Sequence, residues 1–110
     1  KRLKLASEKI YICGKAKIIH LSAKSSNIGF EFEKCRNWQW MWSKVYYDKK
    51  FYGMIYAIKK SFFHLLKNLS KSIFFLLILN YDKFMIFYLR FSGTYNSLIG
   101  KKSWYRPKIN

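Results

Sequence analysis

The stretch Met54-Ile-Tyr-Ala-Ile-Lys-Lys-Ser-Phe-Phe-His-Leu-Leu-Lys-Asn-Leu-Ser-Lys-Ser-Ile-Phe-Phe-Leu-Leu-Ile-Leu79 decides how this chain folds. Ile55, Ile58, Phe62, Leu65, Leu66, Leu69, Ile73 and Leu76 recur at the three- and four-residue spacing of one helix face. Lys60, His64, Lys67 and Lys71 fall on the opposite side. The spacing predicts an amphipathic helix over 54–79. Such a helix fits two settings. It can turn its apolar stripe into a helical bundle, or it can lie in the plane of a membrane surface. Two features favour the membrane: acidic partners for the lysines are scarce, and the bulky Phe63, Phe74 and Phe75 lie off the main stripe.

Working outward, Asn80-Tyr-Asp82 interrupts the pattern, and 83–91 resumes it with Phe84, Phe87, Tyr88 and Phe91 along one side. Gly93 and Gly100 bracket a last short segment, and Pro107 closes a polar tail. On the N-terminal side, Gly53 marks a bend. Trp38, Met41, Trp42 and Val45 at i, i+3, i+4 and i+7 predict a further helix, with Asn37 as its cap. Residues 21–35 read as a loop broken by Ser22, Ser25, Ser26, Asn27 and Gly29. Glu31 and Glu33 alternate there and read as a solvated edge. Lys9 to Cys13 alternates as a strand, Gly14 turns, Ala16 to His20 reads as a second strand, and Lys1 to Leu5 as the end of a helix. Strands this short need a sheet to join, which the rest of the chain does not supply. The expected fold is therefore mostly α, with two short N-terminal strands followed by amphipathic helices.

The chain carries 22 Lys and Arg against 5 Asp and Glu, a net charge of +17. Hydrophobic residues make up 51%, which excludes a disordered polycation and leaves a folding domain that seeks an anionic partner. Residues 1–33 hold +4 and residues 34–110 hold +13, so the anion-facing surface lies mostly in the second part. Cys13 and Cys35 form no CxxC and read as two reduced thiols. No signal peptide is visible, and the longest charge-free apolar run, Ser72 to Tyr81, is too short for a bilayer span of ~20 residues.

His20 leaves a β-like segment and enters a Ser/Lys loop. A ring nitrogen there can bind a divalent metal or bond a phosphate, or it can simply be satisfied by a backbone carbonyl. Ser22, Lys24, Ser25 and Ser26 beside it suit a diphosphate. The run from Trp38 to Tyr47 has three readings: core packing, an interfacial anchor, or a stacking platform for bases.

These residues carry a resemblance. Ile18-Ile19-His20, Ser22-Ala23 and Ser25 are similar to the strand, histidine and small-residue segment near the end of the nucleotide-binding domain in bacterial family 2 glycosyltransferases of the rhamnosyltransferase-like kind. Ser43, Tyr46, Tyr47, Lys49 and Lys50 resemble that family's Trp/Tyr-rich segment. Gly100, Ser103, Arg106 and Pro107 resemble its Gly-x-x-Ser-x-x-Arg-Pro-like ending, and Lys1-Arg2-Leu3 resembles the residues after its acidic cluster.

The resemblance implies the C-terminal portion of a GT-A-like α/β enzyme. Residues 1–35 would end the nucleotide-sugar-binding domain, and 36–110 would form a basic helical extension that docks on the membrane. His20 would help hold a divalent metal (Mg or Mn) and the diphosphate of a nucleotide-diphosphate-sugar, with Lys24, Ser25 and Ser26 lining the donor. Lys44, Lys49, Lys59, Lys60, Lys67, Lys71, Trp38 and Trp42 would face an anionic membrane surface or a lipid-linked acceptor. The enzyme would be cytoplasmic and peripheral on the inner face of the cell membrane. The family's acidic catalytic motifs are not among these 110 residues, so no catalytic residue is assigned and the chain alone is expected to be inactive without an N-terminal catalytic domain. No nucleic acid is expected as partner. The alternatives are a basic, aromatic nucleic-acid-binding module and a non-enzymatic membrane-associated helical protein.

Overall fold

The computed structural model describes residues 29–106, together with Lys9, 11–15 and Lys17. Three helices make up the fold: α1 (Gly29–Tyr52), α2 (Met54–Leu77) and α3 (Tyr81–Leu98). Every pair is in contact, and α3 shares the larger interfaces with the other two. The mostly helical expectation holds. Among the described residues there is no strand: Lys9 and 11–13 are exposed and unpaired, and Gly14 sits in a turn. The second expected strand, apart from Lys17, lies outside the described residues, as does the expected helix end at 1–5.

α1 begins earlier than the sequence pattern predicts. Residues 29–35 are helical rather than loop, and a division after residue 35 falls inside an unbroken helix. The first turns hold themselves together by i,i+3 ion pairs, Glu31 with Lys34 and Glu33 with Arg36 at 3.8 Å. Glu31 also meets the positive end of the helix dipole. Asn37 is therefore not a cap. It is buried mid-helix, where its Nδ2 donates to the Glu33 carbonyl at 2.8 Å and its Oδ1 accepts from Arg90 Nε at 2.7 Å.

Gly53 makes the bend between α1 and α2 at φ 86°, a conformation that glycine adopts without steric cost. α2 runs to Leu77, and Leu79 then takes φ 56° while 89% exposed. Asn80 caps α3, its Oδ1 accepting from the Lys83 N–H at 3.2 Å. Gly93 does not end a segment but lies inside α3. A Cβ there would stand 2.5 Å from the Trp38 carbonyl oxygen, so glycine is what lets α3 press against the α1 backbone.

The buried set is small and largely polar. Among the described residues it holds five apolar side chains (Trp38, Met41, Val45, Ala57, Leu89) and seven polar ones (Asn37, Asp48, Ser61, Asn68, Ser72, Thr94, Ser97). Trp38 is fully buried, donates from Nε1 to Ser92 Oγ at 3.2 Å, and packs against Trp104 with ring centroids 5.4 Å apart. The segment 101–106 folds back along α1. Gln39 Nε2 donates to the Tyr105 carbonyl at 2.6 Å, and Ser103 Oγ donates to Gln39 Oε1 at 2.7 Å.

α2 is oriented by its small residues. Ala57, Ser61, Asn68 and Ser72 are the buried positions, spaced as one face. At about 100° per residue, the Ile/Leu/Phe stripe lies roughly a quarter-turn or more round the helix from that face. Small side chains thus set the helix contacts, and the bulky apolar ones are left outside, as in helices that pack within lipid.

Candidate functional site

The exposed stripe is the first component. Ile55 (73% exposed), Phe62 (50%), Leu66 (48%) and Ile73 (51%) stand on the outer side of α2. It runs on into the α2–α3 connection, where Leu77, Ile78 and Leu79 are all exposed. Phe63 and Phe74 widen it. Monomeric proteins rarely leave a contiguous apolar area of this kind uncovered. Lys59 stands exposed among these residues, and Lys67 and Lys71 are exposed on the far flank of α2. No helix among the described residues is long and apolar enough to cross a membrane.

The predicted membrane-facing residues divide. Trp38 is a correction, because it is fully buried and faces no surface at all. Its position in the α1 stripe makes it the core of the α1–α3 contact. Trp42 is half-buried, donates from Nε1 to the Lys101 carbonyl at 3.0 Å, and stacks on Tyr46 with centroids 5.0 Å apart. Lys49 turns inward, donating to the Ser97 and Leu98 carbonyls at 2.8 and 3.2 Å, where a cation complements the α3 C-terminus. Lys60 is paired with the buried Asp48 at 3.0 Å, which raises its proton affinity above the ordinary lysine value. Glu31 does the same for Lys34. Both cysteines are free, and burial pushes the Cys35 thiol up.

Three clefts open beside these lysines. One of about 410 Å³ is lined by Trp40, Tyr47, Tyr52 and Tyr56 around the Asp48–Lys60 pair. A second, about 610 Å³, is bounded by Trp42, Tyr46, Lys49, Lys50, Lys101 and Lys102, and its wall includes Ser97, whose buried Oγ has no hydrogen-bond partner among the described residues. The third, about 320 Å³, lies where α1, α2 and α3 converge. It gathers Lys44, His64, Lys67, Lys71 and Arg90 over the Phe87 ring. Lys44 Nζ lies 3.2 Å from His64 Nε2, so the imidazole accepts there in its neutral form. Burial first, then Lys44, Lys67 and Lys60, hold the His64 pKa below its ordinary 6.5.

The sequence pattern set His64 with Lys60, Lys67 and Lys71 on one side of α2. It did not place Lys44 or Arg90 with them, because these arrive from α1 and α3, whose facing only the fold determines. His20, Lys24, Ser25 and Ser26 lie outside the described residues. Among the described residues no three His, Cys, Asp or Glu side chains come together as metal ligands, so they offer no donor set for the expected Mg or Mn. No protein-family model, curated protein or solved structure matches this chain.

Proposed function

We propose that residues 29–106 dock an enzyme onto an anionic lipid surface. The single observation that carries this is the outward-facing apolar side of α2, continuous with the exposed Leu77-Ile78-Leu79 tip, in a chain whose residues 34–110 carry a net charge of +13. The occupant is an anionic bilayer rather than a second protein. A lipid headgroup layer offers hydrocarbon to the stripe and negative charge to Lys59 among its residues and to the basic chain behind it, so it satisfies both features of the surface. Each half-exposed Leu, Ile or Phe that enters lipid contributes about 1 kcal/mol. Each lysine near anionic headgroups adds ~1 kcal/mol, screened by salt.

The enzyme would be a family 2 glycosyltransferase, a reading that rests on the sequence resemblance at 18–25, 43–50 and 100–107. Docking would bring an N-terminal catalytic domain, its divalent metal and its nucleotide-diphosphate-sugar to a lipid-linked or surface glycan acceptor. It would place the protein on the cytoplasmic, inner face of the membrane. His20 would help hold the diphosphate or its metal, with Lys24, Ser25 and Ser26 beside it. These 110 residues alone would transfer no sugar, since the acidic motifs in which the resembled family carries the base that deprotonates an acceptor hydroxyl are not among them.

Vesicle co-sedimentation tests the docking. The 110-residue chain is expected to bind phosphatidylglycerol vesicles, to weaken as salt rises, and to keep a salt-resistant remainder from the apolar face. Binding to single-stranded oligonucleotides with a steep salt slope, and none to vesicles, would sink the proposal in favour of nucleic-acid recognition. Sugar transfer by the isolated chain would sink the assignment of catalysis to other residues.

A further inference from the structure

We infer that the cleft where the three helices converge, lined by Lys44, His64, Lys67, Lys71 and Arg90, is a binding site for a phosphate-bearing anion. This does not depend on the docking reading. Every helix contributes a cation: Lys44 from α1, Lys67 and Lys71 from α2, Arg90 from α3. No carboxylate is among the lining residues. Elsewhere three of the chain's five acids are matched to particular bases, Glu31 to Lys34, Glu33 to Arg36 and Asp48 to Lys60. Four cations gathered around one cleft repel one another unless something negative sits among them.

The cleft is also pre-shaped. Arg90 Nε is fixed at 2.7 Å by Oδ1 of the buried Asn37, which is itself anchored through Nδ2 to the Glu33 carbonyl. That leaves the outer guanidinium nitrogens to fork onto phosphate oxygens. Phe87 lies beneath two of the cations, with Lys71 Nζ 5.0 Å and Arg90 Cζ 5.5 Å from its ring centroid. His64 is neutral and accepts from Lys44, so it marks the cleft without opposing an anion. The volume of about 320 Å³ equals roughly ten water molecules at ~30 Å³ each, room for a diphosphate or a lipid phosphate head.

His64 is a built-in reporter. The groups facing it are Lys44 on α1 and Lys60 and Lys67 on α2, with Lys71 and Arg90 in the same cleft. A bound phosphate would offset their field and raise the His64 pKa. The experiment follows the His64 imidazole by NMR in the 110-residue chain, assigned with His64→Asn, as inorganic pyrophosphate is added. We expect a saturable shift and a higher imidazole pKa. Lys67→Gln with Lys71→Gln, both exposed and outside the core, should weaken pyrophosphate by at least about tenfold. Lys101→Gln with Lys102→Gln removes the same charge elsewhere and should leave it unchanged. If pyrophosphate leaves His64 unmoved but phosphatidate-containing bicelles shift it while phosphatidylcholine bicelles do not, the phosphate is a lipid head group. If neither probe moves His64, or if the remote pair weakens binding as much as the cleft pair, the site does not exist.

Discussion

Replacing Phe62 and Leu66 together by serine distinguishes a stripe that faces outward from one that forms a core. Both side chains sit in the middle of the α2 stripe and are 50% and 48% exposed. Had they been core residues, truncating each would cost about 2–5 kcal/mol, and the pair would remove most of an ordinary domain's stability of about 5–15 kcal/mol. In this structure about half of each side chain is already in water. Half of the 1.5–3 kcal/mol for full burial is about 1 kcal/mol per residue, so the pair should cost no more than about 2 kcal/mol. Losing the same half-surface from the membrane contact costs about 2 kcal/mol, or roughly thirtyfold in vesicle affinity. Urea unfolding followed by circular dichroism gives the first number and vesicle titration the second. A stability loss above about 4 kcal/mol, or vesicle binding unchanged, would refute the outward placement.

Three further outcomes follow from other parts of the fold. Gly93→Ala gains up to ~1 kcal/mol of helix propensity but sets a Cβ 2.5 Å from the Trp38 carbonyl oxygen, so a net loss of about 1–2 kcal/mol in urea unfolding is expected, and a gain would contradict the close α1–α3 contact. Leu79→Gly relieves a left-handed φ of 56° at a residue with almost no contacts, so stability should rise by about 1 kcal/mol while vesicle affinity falls. Parallel movement of the two would show that the tip does not touch lipid. His64 binds its proton less readily folded than unfolded, so its contribution is fully present above pH 6.5 and is lost as pH drops below that toward the folded-state value. Lys44→Met should lessen that loss, and urea midpoints on either side of pH 6.5 read it directly.

The sequence pattern located α2 almost to the residue, because eight apolar positions in one helical register leave no other period. It could not say what covers that stripe. Periodicity identifies a face, whereas the packing partner is chosen by which face allows the closest approach, and Ala57, Ser61 and Ser72 allow it better than Phe62 or Leu66. The early start of α1 escaped for a related reason. Phe30-Glu31-Phe32-Glu33 alternates like a strand, and its helical state rests on i,i+3 ion pairs rather than on an apolar stripe. Gly93 looked like a terminator because glycine lowers helix propensity. Its role depends on the Trp38 backbone, 55 positions earlier in the chain. His64, Lys67 and Lys71 of the three-helix cleft were legible as one side of α2, but Lys44 and Arg90 join them only once α1 and α3 are placed.

The most direct test of the account labels single cysteines with an environment-sensitive fluorophore in a chain carrying Cys13→Ser and Cys35→Ser. Labels are placed one at a time at positions 66, 73 and 79 on the stripe and its tip, and at 43, an exposed site on α1. On addition of phosphatidylglycerol vesicles, the labels at 66, 73 and 79 are expected to shift to the blue as they enter hydrocarbon, while that at 43 stays in water. Labels at 66, 73 and 79 that remain aqueous on bound vesicles, or that are already shielded in solution by association between copies of the chain, would contradict a face that rests on lipid.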